Sequence, residues 1–94
     1  MHAVLIEVDV SQLDREAGLK NLREEVVPGV SRAPGFKAGY WLRSTPEEAI
    51  GTSLVLFDTE ADAEAASREI AVGSTIGLGA TVKRREVREV VASA

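Results

Sequence analysis

The sequence predicts an α+β domain in the order β-α-β-β-α-β, and three observations lead to it. Four segments alternate apolar and polar residues with the period of a strand. Two others repeat apolar residues at three- and four-residue spacing, and clusters of Gly, Pro and Ser separate the segments. A chain of 94 residues accommodates one such domain, spanning 1–94, and no second core.

Residues 2–10 form the first predicted strand. Val4, Ile6, Val8 and Val10 make a β-branched stripe that should meet the helices, while Ala3, Leu5, Glu7 and Asp9 fall on the other face. Ser11 is placed to cap the next helix, and Asp14 brings negative charge to its positive end. Leu19, Leu22, Val26, Val30 and Ala33 then recur as one apolar stripe. Pro28 lies within that stripe and lacks a backbone donor. Because the stripe holds its register across the proline, a kink is expected rather than a stop. Ala33-Pro34-Gly35 ends the helix.

Residues 36–43 are the second strand, with Phe36, Ala38, Tyr40 and Leu42 on one face and Lys37, Gly39, Trp41 and Arg43 on the other. Tyr40 is expected in the core. The polar connection 44–48 is short enough to make this strand and the third, 52–58, an antiparallel hairpin. Thr59 repeats the capping pattern for a second helix, whose buried face is Ala63, Ala66 and Ile70 and which should therefore lie close to the sheet. Gly73 is placed to end that helix in a left-handed cap. Residues 74–80 read as a loop. Residues 81–91 are the last strand, and their charge density (Lys83, Arg84, Arg85, Glu86, Arg88, Glu89) suits a sheet edge.

This is the split βαβ or ferredoxin-like plan: a four-stranded antiparallel sheet with both helices on one face. The other face is left holding Leu5, Gly39, Trp41, Val55 and Phe57 among Glu7, Asp9, Lys37 and Arg43. Apolar surface of that extent marks an interface, and the charges on it imply a partly polar cavity. A homodimer through the helix-free sheet face accounts for both.

Composition removes many functions. Fifteen acidic residues against eleven basic ones give a net charge of −4, which argues against nucleic-acid binding. No cysteine is present, so disulfides, thiolate metal sites and Cys nucleophiles are excluded, and no metal site is expected. The run Ala3-Val4-Leu5-Ile6 is far too short to span a bilayer and lacks the features of a signal peptide, so no membrane association and a cytoplasmic location are expected. Gly77-Leu78-Gly79 lacks the context of a nucleotide-binding fingerprint. Ser44 and Thr45 have no neighbouring His for a hydrolase triad. Lys83-Arg84-Arg85 alternates faces among acids and reads as a solvated edge rather than an anion site.

The stretch Pro34-Gly35-Phe36-Lys37-Ala38-Gly39-Tyr40-Trp41-Leu42-Arg43, followed by Ser53-Leu54-Val55-Leu56-Phe57-Asp58-Thr59-Glu60-Ala61-Asp62-Ala63, resembles the antibiotic biosynthesis monooxygenase-like proteins of the dimeric α+β barrel superfamily. Leu22-Arg23-Glu24-Glu25-Val26-Val27-Pro28-Gly29-Val30 looks like the first helix of small actinobacterial members. The resemblance implies a dimeric α+β barrel and cofactor-independent oxygenation of an aromatic or quinol-type small molecule. A separate branch degrades haem with an Asn, a Trp and a His. Trp41 matches only the aromatic member, because the sole Asn (Asn21) and sole His (His2) do not match the other positions.

An oxygenase of this kind would place a planar substrate against Trp41, use Glu7 or Asp9 as the base that forms its anion, and need no cofactor. Lys37, Trp41 and Arg43 are the candidate ligand-binding residues. Each has a plainer reading: Trp41 fills the dimer interior, Glu7 and Asp9 are rim charges neutralised by Lys37 and Arg43, and His2 is an exposed terminal residue. The alternative function is a non-catalytic small-molecule-binding or interaction module with the same fold, in which the cavity would be too small or too filled for an aromatic ligand. An RNA-recognition domain lacks the basic face and paired aromatics, and a soft-metal carrier lacks cysteines. A regulatory amino-acid-binding domain would ordinarily accompany a catalytic one.

Overall fold

The β-branched stripe of the first strand becomes the spine of the sheet. The structure, a computed structural model, describes residues 1–43 and 49–94; the polar connection 44–48 lies outside the described residues. The chain runs β1 (His2–Asp9), α1 (Arg15–Asn21), a π turn (Leu22–Val26), α2 (Val27–Ser31), β2 (Phe36–Arg43), β3 (Ile50–Phe57), α3 (Glu60–Arg68), β4 (Thr75–Ile76) and β5 (Ala80–Glu89). All strand pairs are antiparallel in the order β2-β3-β1-β5-β4. The protein is therefore α+β and compatible with a ferredoxin-like plan, but the sheet has five strands rather than the four expected. The extra one is the two-residue β4. Gly77 and Gly79 adopt positive φ, which turns the chain tightly enough for Thr75 and Ile76 to pair with Thr81 and Ala80.

Local chemistry explains the helix boundaries. The cap of α1 is Asp14, whose carboxylate accepts from the Ala17 N–H at 3.0 Å, rather than Ser11. Ser11 instead donates its own N–H to Asp9 at 2.8 Å, which holds it in the preceding turn. Pro28 has no N–H to offer the carbonyl four residues back, and the turn before it is wide: the Val27 N–H reaches the Leu22 carbonyl five residues away. The expected kink is thus a π turn. Thr59 caps α3 as expected, its hydroxyl accepting from the Asp62 N–H at 3.1 Å. That helix closes at Glu69, before Gly73. The Arg85 guanidinium, on the helix-facing side of β5, takes up the carbonyls of Ser67 and Ile70 at 3.1 and 2.6 Å and so satisfies its last turn.

The core lies between α3 and the centre of the sheet: Val4, Ile6, Val55, Phe57, Ala63 and Val82. Alanine at 63 brings α3 close, as expected, and that residue is wholly buried. Phe36 meets Phe57 edge to face with ring centroids 6.5 Å apart.

Two β-bulges decide which residues share that face. Phe36 pairs with Phe57, but the next pair is Ala38 with Leu56, so Lys37 is an extra residue in β2. Beyond it the alternation is inverted. Gly39, Trp41 and Arg43 join the helix-covered face opposite Val55, Ser53 and Gly51, while Ala38, Tyr40 and Leu42 turn to the uncovered face. This corrects the expected placement of Gly39, Trp41 and Arg43 on the open face and of Tyr40 in the core; Tyr40 and Leu42 are 55% and 57% exposed. Val55 and Phe57 are also beneath the helices, because the register pairs them with Val4 and His2 of the covered stripe. A second bulge, at Lys83, puts Val82 inside while Arg84 and Glu86 stay outside. Among the described residues no helix is long and apolar enough to cross a membrane.

If Lys37 stands outside the alternation, deleting it should leave Phe36 opposite Phe57 and Trp41 on the covered side. The loss of its exposed pair with Asp58 should cost no more than about 1 kcal/mol. Urea denaturation followed by Trp41 emission checks this, and a red-shifted emission maximum in the deletion variant would show that Lys37 takes part in the alternation.

Candidate functional site

The apolar stripe of the first helical unit does face the sheet, yet it does not seal against it. No residue of α1, the π turn or α2 is fully buried. A half-open cleft of about 550 Å3 separates this roof from the floor formed by β1, β2 and β3. Leu19, Leu22, Val26 and Val30 line it from above, and Ile6, Val8 and Trp41 from below. The floor is low because Gly51 and Ser53 occupy inward positions where larger side chains would rise into the space. α2 packs on β2, and α3 packs on β1, β3 and β5, so the gap falls beside the core and not within it.

Trp41 is held by the residue two before it. A Cβ at Gly39 would stand 2.6 and 2.7 Å from the outer carbons of the indole, and 3.5 Å from Phe36. The indole therefore lies over a position that only glycine leaves free, half-buried against the core. Arg43 follows two residues later on the same face and also lines the cleft, exposed to solvent. It has no ion-pair partner among the described residues. The charged residues among the described lining are Arg43 and Glu69, the latter at the end of α3.

The other sequence candidates lie elsewhere. Glu7 is on the uncovered face, pairing with the Arg84 guanidinium at 3.3 Å, and Arg84 continues to Glu86 at 2.9 Å and Glu86 to Arg88 at 3.0 Å. The partners of this ladder come from β5, and not from Lys37 and Arg43. Hydrogen bonding from Arg84 holds the Glu86 carboxyl below the usual carboxylate range and raises Arg84. Asp9 is likewise lowered, chiefly by its hydrogen bonding with Ser11, which moves it away from the neutral range a general base works best in. Lys37, at the bulge, reaches Asp58 at 3.1 Å. Thus Trp41 and Arg43 are brought together, while Glu7 and Asp9 stand behind the sheet and Lys37 at its end.

His2 is not a loose terminal residue. Its side chain is 17% exposed, Nε2 lies 3.2 Å from Glu60, and Nδ1 is buried without a hydrogen-bond partner. Glu69 is the cleft residue that sequence reasoning passed over. It carries no motif, and only the packing angle of α3 brings it there. Among the described residues, no three His, Asp or Glu side chains are grouped to hold a metal ion. No protein-family model, curated protein or solved structure matches this chain.

Adding one methyl group at Gly39 should test how the indole is seated. Gly39→Ala must displace Trp41 into the cleft, shift its emission maximum and cost about 1–3 kcal/mol. Emission and stability both equal to wild type would show that the indole does not depend on this glycine.

Proposed function

We propose that this chain is a small-molecule-binding protein of the ferredoxin-like, dimeric α+β barrel type, which receives a planar apolar ligand in the cleft beside Trp41. The observation that carries the reading is the sole tryptophan half-buried on the floor of an open, mainly apolar cleft. Ligand sites are commonly concave and apolar with a few convergent polar groups, and a flat aromatic wall favours a flat ligand. The space is neither small nor filled, which supports ligand binding over a purely protein-protein role.

The resemblance to antibiotic biosynthesis monooxygenase-like proteins extends this reading to oxygenation, with the same ligand against Trp41. Such a step needs a base beside the substrate. Glu7 and Asp9 are on the opposite face, so binding without turnover is the reading we place first. A cofactor-independent monooxygenase remains the second, favoured by the resemblance and by the room beside Trp41.

The partner at the uncovered face is a second copy of the chain. That face is divided: Ala38, Tyr40, Leu42, Leu54 and Leu56 make an apolar half, while Glu7, Arg84, Glu86 and Arg88 neutralise one another in the other. A two-fold partner can cover the leucines without burying an unpaired charge, which is the costly event at interfaces.

A neutral naphthalene such as 2-naphthamide should quench Trp41 emission saturably and give a calorimetric binding signal, and Trp41→Ala should weaken that signal about tenfold. Binding unchanged by the substitution would remove the reading. Sedimentation should give twice the 10.0 kDa protomer mass at micromolar concentration, reduced to the monomer by Leu42→Glu. A wild-type monomer under those conditions would count against the dimer.

A further inference from the structure

We infer that the ligand of the cleft is an acid, a small aromatic carboxylate whose ring lies beside Trp41 and whose anionic group is received by Arg43. The inference rests on the binding reading above and adds the charge of the ligand to it. Three placements lead to it. First, Trp41 and Arg43 are two residues apart on one strand and on one face, so their side chains rise about 7 Å apart along the same wall. An aromatic surface and a fixed cation at that spacing match the two ends of a small aromatic acid.

Second, the guanidinium is uncommitted among the described residues. Arg84, Arg85 and Arg88 are each committed, to Glu7 and Glu86, to the end of α3, and to Glu86. Arg43 has no such partner among the described residues, although two rows of the same sheet show how readily an arginine finds one. A planar fork of donors is also the group best suited to hold a carboxylate.

Third, the rest of the lining offers the anion little competition. Glu69, the one carboxylate among the described lining residues, belongs to α3, which packs on β1, β3 and β5, whereas Arg43 stands on the outermost long strand. Opposite Arg43 is Gly51, which projects no side chain, and beyond it Val8. Ser53, one row inward, presents a hydroxyl on the same face. The seat is thus a cation beside a mainly apolar floor, with the Ser53 hydroxyl on the same face. This arrangement favours a single negative charge over a neutral group, since charge-assisted hydrogen bonds exceed neutral ones.

The probes are 2-naphthoate and its neutral isostere 2-naphthamide, compared by calorimetry at low salt with Trp41 emission as the second readout. Wild type should bind the acid roughly tenfold tighter than the amide, and the advantage should shrink as salt screens the exposed guanidinium. Arg43→Gln should erase the advantage while leaving the amide affinity unchanged, and Arg43→Lys should restore part of it. Equal affinity of wild type for acid and amide overturns the inference and leaves the cleft reading standing. Failure of both probes to perturb Trp41 or to bind overturns the cleft reading and the inference with it. A preference for the acid that survives in Arg43→Gln also overturns it, because the anion would then be held elsewhere.

Discussion

One extra residue in β2 governs the rest of the structure. A strand exposes alternate side chains to opposite faces, so a single insertion exchanges every position that follows. With Lys37 set aside as the bulge, Phe36 keeps its contact with Phe57 at one end of the strand while Trp41 and Arg43 come under the helices at the other. Were Lys37 instead to take its turn in the alternation, Tyr40 and Leu42 would lie inside and the tryptophan outside. The two bulges, at Lys37 and Lys83, work alike. Each sets a lysine aside from the alternation, and the paired neighbours on both sides keep their registers.

The cleft follows from that exchange. An amphipathic helical unit is stabilised by packing its apolar stripe, and here the stripe meets a floor that at Ser53 and Gly51 cannot fill the space below it. Trp41 is the one large side chain on that part of the floor, and it lies back over Gly39 towards Phe36 rather than upward. The π turn before Pro28 lets the helix continue past the proline and keep its apolar residues directed at the sheet. The closely packed part of the molecule is displaced to α3, where Ala63 and the Arg85 cap join helix and sheet.

Charge is sorted by face in the same way. The ladder Glu7–Arg84–Glu86–Arg88 lies wholly on the uncovered side, where its exposed pairs contribute modestly to stability and define the polar half of a surface whose other half is leucine and tyrosine. Arg43 is left as a cation beside an apolar space. A lowered Asp9 and a paired Glu7 behind the sheet make poor candidates for proton abstraction in the cleft, which separates the question of binding from that of catalysis.

Much of the architecture was legible in the residues. The β-branched stripe from Val4 to Val8, the helical stripe from Leu19 to Val30, the Thr59 cap and the alanine face of α3 each specify their element through local periodicity and hydrogen-bonding chemistry. Those signals need only neighbours in the chain. The composition likewise settled the absence of thiol chemistry and the excess of acid. The tertiary structure alone decided which face of β2 is covered, because a bulge is chosen by the pairing of Phe36 with Phe57 and Ala38 with Leu56, and no residue near Lys37 announces it. For the same reason the side-chain partners of Glu7, the commitment of Arg85 to α3 and the meeting of Trp41, Arg43 and Glu69 around one cleft belong to the fold. They are contacts between distant segments, set by register and packing angle rather than by any local preference.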